Sequence, residues 1–449
     1  MAQSKTLPLI LVAEGGLKAA GLSRAQEKWA AGLGFSGQRG KLVPLPADSG
    51  ELGGYLFGIG SDAGRPALLT GMASAFLDGG RYRLDGAIDN ATYAALGFRL
   101  GAYRYDRYKT QKPVPELVDP AGADRAELAR LADAAFLARD LINTPPNDLG
   151  PDAFEADIRA FAARHKMKVK SIVGDALLKQ NFPMIHAVGR ASAEAPRLLD
   201  LQWGAAGHPK VTLVGKGVTF DTGGLDIKPP SGMLLMKKDM GGAANVLGLA
   251  HAIMDAKLKV RLRVLVPIVE NAISGSAFRP GDILPSRSGQ TVEIGNTDAE
   301  GRLILGDALT LADEEKPELL IDMATLTGAA RAALGPDLPP LYATDDTLAA
   351  DLMEAGLASD DPLWRMPLWT PYESMLSSKI ADVNHVSQGA FAGSITAALF
   401  LRRFVRQAKA WAHLDIFAWA PEARPGRPVG GTDQGIRAVY GVLKQRYGQ

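Results

Sequence analysis

The 449-residue chain has no cysteine. Disulfide bridges, thiolate nucleophiles and thiolate metal ligands are therefore excluded, and any bound metal must be held by oxygen and nitrogen atoms. Long apolar runs are also missing. The N-terminal stretch Leu7 to Val12 is shorter than the apolar core of a signal peptide, and no segment approaches the roughly 20 apolar residues that cross a bilayer. We expect residues 7–12 to form a strand, and the protein to be cytoplasmic without membrane contact.

Neither sign of charge dominates the sequence. Lysine plus arginine number 50 and aspartate plus glutamate 49, so no net field favours nucleic acid or acidic partners. The six histidines show no His-Glu-x-x-His spacing, and no Gly-x-Ser-x-Gly turn surrounds a candidate serine nucleophile. A histidine-based zinc site and a serine hydrolase are both disfavoured.

The length exceeds one ordinary core and predicts two domains. Residues 1–140 combine short apolar runs, Gly-rich turns and helical segments, which favours a small N-terminal α/β domain. A linker helix is predicted from about Asp124 to Ile142, where apolar residues recur every three or four positions. It ends at the prolines of Asn143-Thr144-Pro145-Pro146-Asn147. The second domain is expected to span residues 141–449.

In this larger C-terminal domain, helical patterns alternate with strand-like runs. This alternation predicts a mainly parallel central sheet flanked by helices, with ligand sites at the carboxyl ends of its strands. The predicted strands are Lys168 to Val173, Val211 to Val214, Arg263 to Val269, Thr291 to Ile294, Glu318 to Met323 and His413 to Ala418.

A first polar cluster follows the strand at Val211 to Val214. It comprises GKGVTFDTGG at residues 215–224, then Lys228, then MKKDMGGAA at residues 236–244. The glycine spacing before the first lysine is wrong for a phosphate loop. Taken alone, the cluster is equally well explained as a surface loop with solvated charges.

A second cluster, GNTDAEGRL at residues 295–303, follows the strand at Thr291 to Ile294. Thr297 and Glu300 have capping-box spacing before an apolar-periodic helix predicted from Arg302 to Ala312. A helix start alone would explain that spacing. Together, however, Lys216, Asp221, Lys228 and Asp239 of the first cluster and the residues of the second supply four carboxylates, two amines and a guanidinium. This set suits two hard or borderline divalent ions.

These blocks, VGKGVTFDTGGLDIKP with MKKDMGGAA and NTDAEGRL, resemble the cytosol (leucyl) aminopeptidases, a family of two-metal exopeptidases. Their mutual spacing also fits, and the resemblance covers roughly residues 140–449. It implies a catalytic domain that releases the first residue of peptides with a free N-terminus. It further implies a homohexamer.

The resemblance also implies a ligand set for two divalent ions, Mn2+ or Zn2+. One ion would be held by Lys216, Asp221, Asp239 and Glu300, and the other by Asp221, Asp298 and Glu300. An ammonium cannot ligate a metal, so we expect Lys216 to be neutral, with two adjacent cations lowering its pKa from about 10.4.

Further roles follow from the same resemblance. Lys228 would direct its ammonium at the scissile carbonyl and stabilise the developing oxyanion. Arg302, at the start of the predicted helix, would hold a bicarbonate as general base. Met236, Thr325 and Gly328 would form an adaptable apolar pocket for the first side chain of the substrate.

The far wall of that pocket departs from the family pattern, because this chain has Phe417 and Trp419 where familiar members have smaller residues. We expect both rings to be core aromatics; if one of them faces the site instead, the range of substrates narrows. Two other functions remain open: another two-metal hydrolase such as a phosphatase, which would want more arginine, and a DNA-binding role, against which the near-zero net charge argues.

Overall fold

The structure is a computed structural model that describes residues 5–448. Its described residues form two compact units, one comprising the chain up to Phe136 with Ala420–Gly430, the other Leu137–Trp419 with the chain from Gly431. The domain boundary expected at residue 140 stays a prediction. Within the described range, no helix combines the length and hydropathy that bilayer crossing requires.

The first unit is a small α/β unit built on a five-stranded sheet. The strand order is β2-β3-β1-β4-β5, with β1 parallel to β3 and β4 and with β2 antiparallel to β3. Leu9, Phe57 and Phe98 are fully buried in its core. The predicted strand at residues 7–12 is confirmed within β1. The elements are β1 Thr6–Ala13, α1 Arg24–Gly32, β2 Leu42–Pro46, β3 Leu52–Gly60, α2 Gly71–Phe76, β4 Arg81–Gly86, α3 Ala91–Gly101 and β5 Glu116–Val118, with a short 3-10 helix at Gly16–Ala19.

The predicted linker helix is α4, Arg125–Asn143, and the elements that follow it belong mainly to the second unit. They are α5 Pro151–Arg164, β6 Lys168–Val173, α6 Ala176–Lys179, α7 Pro183–Gly189, β7 Arg197–Trp203, β8 Lys210–Gly215, β9 Gly217–Asp221, α8 Pro230–Met233, α9 Gly241–Asp255, β10 Arg261–Asn271, β11 Ile283–Pro285, β12 Thr291–Glu293, α10 Glu300–Asp313, β13 Leu319–Ala324, α11 Gly328–Leu334, β14 Pro340–Ala343, α12 Asp346–Ala358, β15 Trp364–Arg365, β16 Val383–Asn384, α13 Gly393–Arg402, β17 Ala410–Asp415, β18 Trp419–Ala420, β19 Gly430–Gly431 and α14 Ile436–Tyr447. Short 3-10 helices lie at Met236–Met240, Thr297–Ala299 and Thr370–Leu376.

The central sheet of this unit has nine strands and confirms the mainly parallel architecture. Its path is β15-β14-β17-β13-β8-β10-β7-β6, with β9 paired to β10. The inner strands β17, β13, β8 and β10 are mutually parallel, whereas β14 and β7 pair antiparallel with their inner neighbours. Because β8, β13 and β17 run in one direction, Gly215, Ala324 and Asp415 end at the same edge of the sheet.

Helices α9 and α10 are almost wholly buried and pack against this sheet. Nearly every strand residue of β8, β10 and β13 is buried too. Such continuous burial is the signature of strands covered on both faces. The loops at the carboxyl edge are therefore fixed to a rigid base.

Three local predictions were wrong. The strand at Thr291 belongs to a separate three-stranded sheet, β11-β12-β16, not to the central sheet. The strand predicted from His413 to Ala418 ends at Asp415 as β17, because the chain turns away from β13 after Asp415 pairs with Ala324. The capping box does not form: the Thr297 hydroxyl donates to the Gly223 carbonyl at 2.7 Å, and α10 starts at Glu300 without a side-chain cap. Tertiary hydrogen bonding thus overrides the local motif.

Candidate metal centre

Four carboxylates converge at the carboxyl edge of the central sheet. Asp221 is the last residue of β9, Asp239 lies in the 3-10 helix before α9, Asp298 in the one before α10, and Glu300 opens α10. Oxygen atoms of Asp221, Asp298 and Glu300 all lie within 4.8 Å of one another. Among the described residues, no other cluster of three such side chains meets this criterion.

Two lysines lie among these carboxylates. Lys216 Nζ is 2.8 Å from Asp239 Oδ2 and 2.9 Å from Glu300 Oε1. Lys228 Nζ is 2.8 Å from Asp221 Oδ2 and also pairs with Asp298 Oδ1. Four carboxylates therefore face two ammonium groups, which leaves the cluster short of positive charge.

Burial and crowding shift the pKa values of these groups. Burial, and then the charge of Asp221, raise the pKa of Glu300 to about 8 and that of Asp298 to about 6. For Lys216, burial lowers the pKa, but Asp239, Glu300 and Asp221 together outweigh it, so its pKa is raised. Burial also lowers the pKa of Lys228, but the charge of Asp221 and its neighbours outweighs burial, so the pKa of Lys228 is raised. Without cations, Glu300 therefore keeps its proton at neutral pH, and Lys216 is an ammonium.

Hydrogen bonds from neighbouring loops hold Asp221 in place. Its Oδ1 accepts from Asn271 Nδ2 and from the Gly223 backbone N–H, both at 2.8 Å. Asn271 Nδ2 also donates to the Thr297 carbonyl at 3.1 Å. One amide at the end of β10 thus joins the loop after β9 to the loop before α10, and nothing in the sequence motifs signalled it.

The loop after β13 closes another side. Thr325 donates its hydroxyl to Asp239 Oδ1 at 2.8 Å, and its carbonyl accepts from Lys216 Nζ at 3.1 Å. Asp415, at the end of β17, accepts from the backbone N–H groups of Leu326 and Thr327 at 3.1 and 3.2 Å. This loop is therefore fixed between two neighbouring strands.

These groups border a cavity of about 250 Å3. The cavity brings together all the predicted ligands except Glu300, together with Lys228 and the three predicted pocket residues. Its lining residues are Lys216, Asp221, Lys228, Met236, Lys238, Asp239, Asp298, Thr325, Leu326, Thr327, Gly328, Arg331, Ile416 and Phe417.

Arg302 lies beside the cluster rather than on the cavity wall. It is buried in the first turn of α10, and its Nη1 donates to the His385 carbonyl at 2.7 Å. Its Nε finds no acceptor among the residues that the structure describes. Burial lowers the pKa of Arg302 to about 10, against the opposing charge of Glu300.

The expectation that Phe417 is a core aromatic was wrong, because its half-buried ring lines the cavity. Lys238 Nζ lies 4.8 Å from the ring centroid, and the Arg331 guanidinium carbon 5.5 Å from it. Burial lowers the pKa of Lys238 to about 8. Trp419 is half-buried, with Lys237 Nζ 5.5 Å from its ring.

The donor set fits hard or borderline divalent ions. Asp239 Oδ2, Asp298 Oδ1 and Glu300 Oε1 are buried and accept no hydrogen bond of good geometry from any described residue, although a lysine ammonium lies beside each. Carboxylate oxygens in this condition are the ligands that Mn2+ and Zn2+ accept. The roles of the individual residues remain predictions.

Models of one protein family match this chain in both of its units. The model of the "Cytosol aminopeptidase family, catalytic domain" matches residues 136–440, and that of the "M17 aminopeptidase, N-terminal domain" matches residues 7–120. A "Probable cytosol aminopeptidase" of Xanthobacter autotrophicus is 40% identical over 430 residues, which cover 92% of this chain and 84% of that protein.

Solved structures of similar proteins also match over nearly the whole chain. The crystal structure of the cytosol aminopeptidase from Coxiella burnetii is 45% identical, with a TM-score of 0.93 over 100% of this chain and 98% of that one. The structure described as "Bottromycin maturation enzyme BotP in complex with Mn" is 34% identical, with a TM-score of 0.90 over 99% of this chain and 100% of that one.

Proposed function

The chain belongs to the cytosol aminopeptidase family and is a leucyl-type aminopeptidase, a hydrolase that acts on peptides; from this premise we propose that it works with two divalent metal ions held by the carboxylate cluster. The observation that carries the proposal is the convergence of Asp221, Asp298 and Glu300 oxygens within 4.8 Å beside Lys216 and Asp239.

In this proposal the first ion is held by Lys216, Asp221, Asp239 and Glu300, and the second by Asp221, Asp298 and Glu300. Such ions supply a water of lowered pKa and polarise the scissile carbonyl. The Mn complex of BotP makes Mn2+ the first ion to test, with Zn2+ the alternative. Lys216 has to give up its proton to act as a ligand, which the nearby dications would favour.

In this proposal, side chains of the cavity stabilise the developing oxyanion, position a metal ligand and contact the substrate. Lys228 lines the cavity with its ammonium beside Asp221 and Asp298, where it can donate to the developing oxyanion. Thr325 restricts Asp239 through its hydroxyl, and Met236 offers an apolar wall to the first side chain of the substrate.

Arg302 is proposed to hold a bicarbonate that acts as general base. Two features support this: its Nε has no acceptor in the described part of the chain, and it lies in the first turn of α10, where the helix dipole favours an anion. A requirement for a free N-terminus is also part of the proposal, since an acylated nitrogen is a poor metal ligand.

We propose, further, that the protein acts in the cytoplasm and assembles as a homohexamer. Large exposed apolar side chains in the second unit are consistent with subunit contacts, namely Trp364, Trp369, Ile380 and Phe391. Sedimentation analysis tests the assembly: a monomer at micromolar concentration would refute it.

The decisive experiment is hydrolysis of leucine p-nitroanilide by the purified protein, before and after chelation and after Mn2+ or Zn2+ is restored. We expect loss and recovery of activity, and no recovery for Asp298→Ala. N-acetylated leucine anilide and phosphate esters should not be cleaved. Equal rates for wild type and Asp298→Ala, or equal cleavage of the acetylated substrate, would refute the proposal.

A further inference from the structure

Lys238 is a largely buried lysine whose ammonium forms no ion pair with any residue that the structure describes. The residue is 5% exposed and lies next to the predicted ligand Asp239. Across residues 5–448, no carboxylate lies within ion-pair distance of its ammonium, and no oxygen accepts a hydrogen bond from it. The other cations of the cavity differ, because Lys216 and Lys228 pair with the carboxylate cluster and Arg331 pairs with Asp415.

The Lys238 ammonium lies against an aromatic ring, which accepts no ordinary hydrogen bond from it. It faces the Phe417 ring at 4.8 Å, and Arg331 occupies another position over the same ring at 5.5 Å. A ring face attracts a cation but does not replace three hydrogen-bond acceptors. A buried ammonium is costly unless it is paired, so an anion that enters the cavity would bind favourably there.

The position of Lys238 indicates which part of a substrate would supply the anion. Lys238 lines the cavity together with Phe417 and with Met236 and Thr325, two of the residues assigned to the first side chain. In the proposed function the scissile bond is assigned instead to Lys228 and the metal ligands. An anionic group that reaches Lys238 therefore belongs to the side chain of the first residue.

Resting on the proposed function, we propose that Lys238 is a specificity-determining residue, which admits peptides beginning with glutamate or aspartate by pairing with their side-chain carboxylate. Met236 and Phe417 contact the methylene groups of that side chain. Arg331 is unavailable for the same task, because its guanidinium already donates to the Asp415 and Thr327 carbonyls at 2.9 and 3.1 Å.

The test compares glutamate with glutamine, which has the same shape without the charge. We would measure kcat/KM of the Mn2+-loaded full chain on the aminomethylcoumarin amides of glutamate, glutamine and leucine. The wild type should give a glutamate-to-glutamine ratio of about 10, and Lys238→Met should lower that ratio about tenfold, since a polar pocket group left unpaired penalises the wrong ligand.

Lys237→Met is the matched control. Lys237 is the preceding residue, but its ammonium donates to the Asn143 carbonyl at 2.8 Å and lies over Trp419. Its replacement should leave the glutamate-to-glutamine ratio unchanged. A change equal to that of Lys238→Met would mean that general charge, not a specific contact, sets the ratio, and would overturn the inference.

The outcomes separate this inference from the function beneath it. If leucine amide is cleaved but the wild-type ratio is one or lower, or Lys238→Met leaves it unchanged, the role of Lys238 is refuted and the two-metal proposal stands. If the metal-loaded wild type cleaves none of the three amides, the proposed function itself fails. Should Lys238→Met not fold, as judged by circular dichroism, the wild-type ratio decides.

Discussion

Gly301 lies directly against the end of the Lys216 side chain: a β-carbon at position 301 would be 2.6 Å from Lys216 Cε and 2.7 Å from its Nζ. The absence of a side chain at Gly301 lets Lys216 reach Glu300 and Asp239 while α10 begins at Glu300. A residue with no chemistry of its own therefore sets the position of a predicted ligand.

Gly301→Ala should separate activity from stability. Alanine favours the helix by up to about 1 kcal/mol over glycine, so thermal stability should not fall by much. The new methyl group, however, displaces Lys216, and we expect kcat/KM on leucine p-nitroanilide to fall by at least about tenfold, because misplacement by about 1 Å is costly in a catalytic site. Metal content per subunit should fall in parallel.

The control is Gly275→Ala, at an exposed position where an added β-carbon meets no atom within 4 Å. Its activity and metal content should match those of the wild type. Full activity in Gly301→Ala would contradict the assignment of Lys216 to the metal centre.

Asn271→Ala should weaken metal binding without removing a ligand. The substitution deletes the amide that restrains Asp221 and links it to the Thr297 carbonyl. Supporting partners of this kind typically contribute 10 to 100-fold, roughly, to metal affinity or activity. Activity should therefore recover as Mn2+ is raised, which titration of activity against Mn2+ measures. An unchanged titration midpoint would show that Asp221 is held without Asn271.

Phe417→Ala should widen the pocket for the first side chain. The ring forms part of the cavity wall, so its removal should raise kcat/KM for phenylalanine amide relative to alanine amide by about tenfold. Trp419→Ala serves as control, since that ring lies beneath Lys237. Identical selectivity in wild type and Phe417→Ala would place the ring outside the substrate's path.

His413 should make stability depend on pH. The residue is fully buried, with Nδ1 2.5 Å from Asp322 Oδ1. Burial lowers its pKa, but Asp322 outweighs burial and the net pKa is raised. The folded state therefore holds the proton more tightly than the unfolded chain does. This stabilisation is complete below about pH 6.5 and is lost as pH rises through the folded-state value.

Thermal unfolding from pH 6 to 9 tests this, with His413→Gln as the variant that does not titrate. Relative to the variant, the wild type should lose up to about 1.4 kcal/mol per pH unit within the window above pH 6.5. Parallel pH profiles for the two proteins would show that His413 has an ordinary pKa or stays neutral.

Much of the second unit's architecture could be predicted from local patterns. Alternating helical and apolar segments predicted the mainly parallel sheet because burial on both faces demands continuous apolar strands. The predicted capping box at Thr297 does not form, because the Thr297 hydroxyl donates to the carbonyl of Gly223, which is far away in sequence. The prediction that Phe417 is a core aromatic was wrong for a similar reason. The sequence after a buried strand does not show whether an aromatic ring packs in the core or borders a cavity.

The sequence alone determined the chemistry available: oxygen and nitrogen donors without thiols, gathered in two blocks beside apolar strands, and the family to which those blocks belong. Only the tertiary structure decided which groups meet. The sheet order β17-β13-β8-β10 brings loops from distant parts of the chain to one edge, so that Lys216 meets Glu300 and Asn271 meets Asp221. That Lys238 has no ion-pair partner within residues 5–448 is likewise a property of packing, since an ion pair depends on distances that no linear motif specifies.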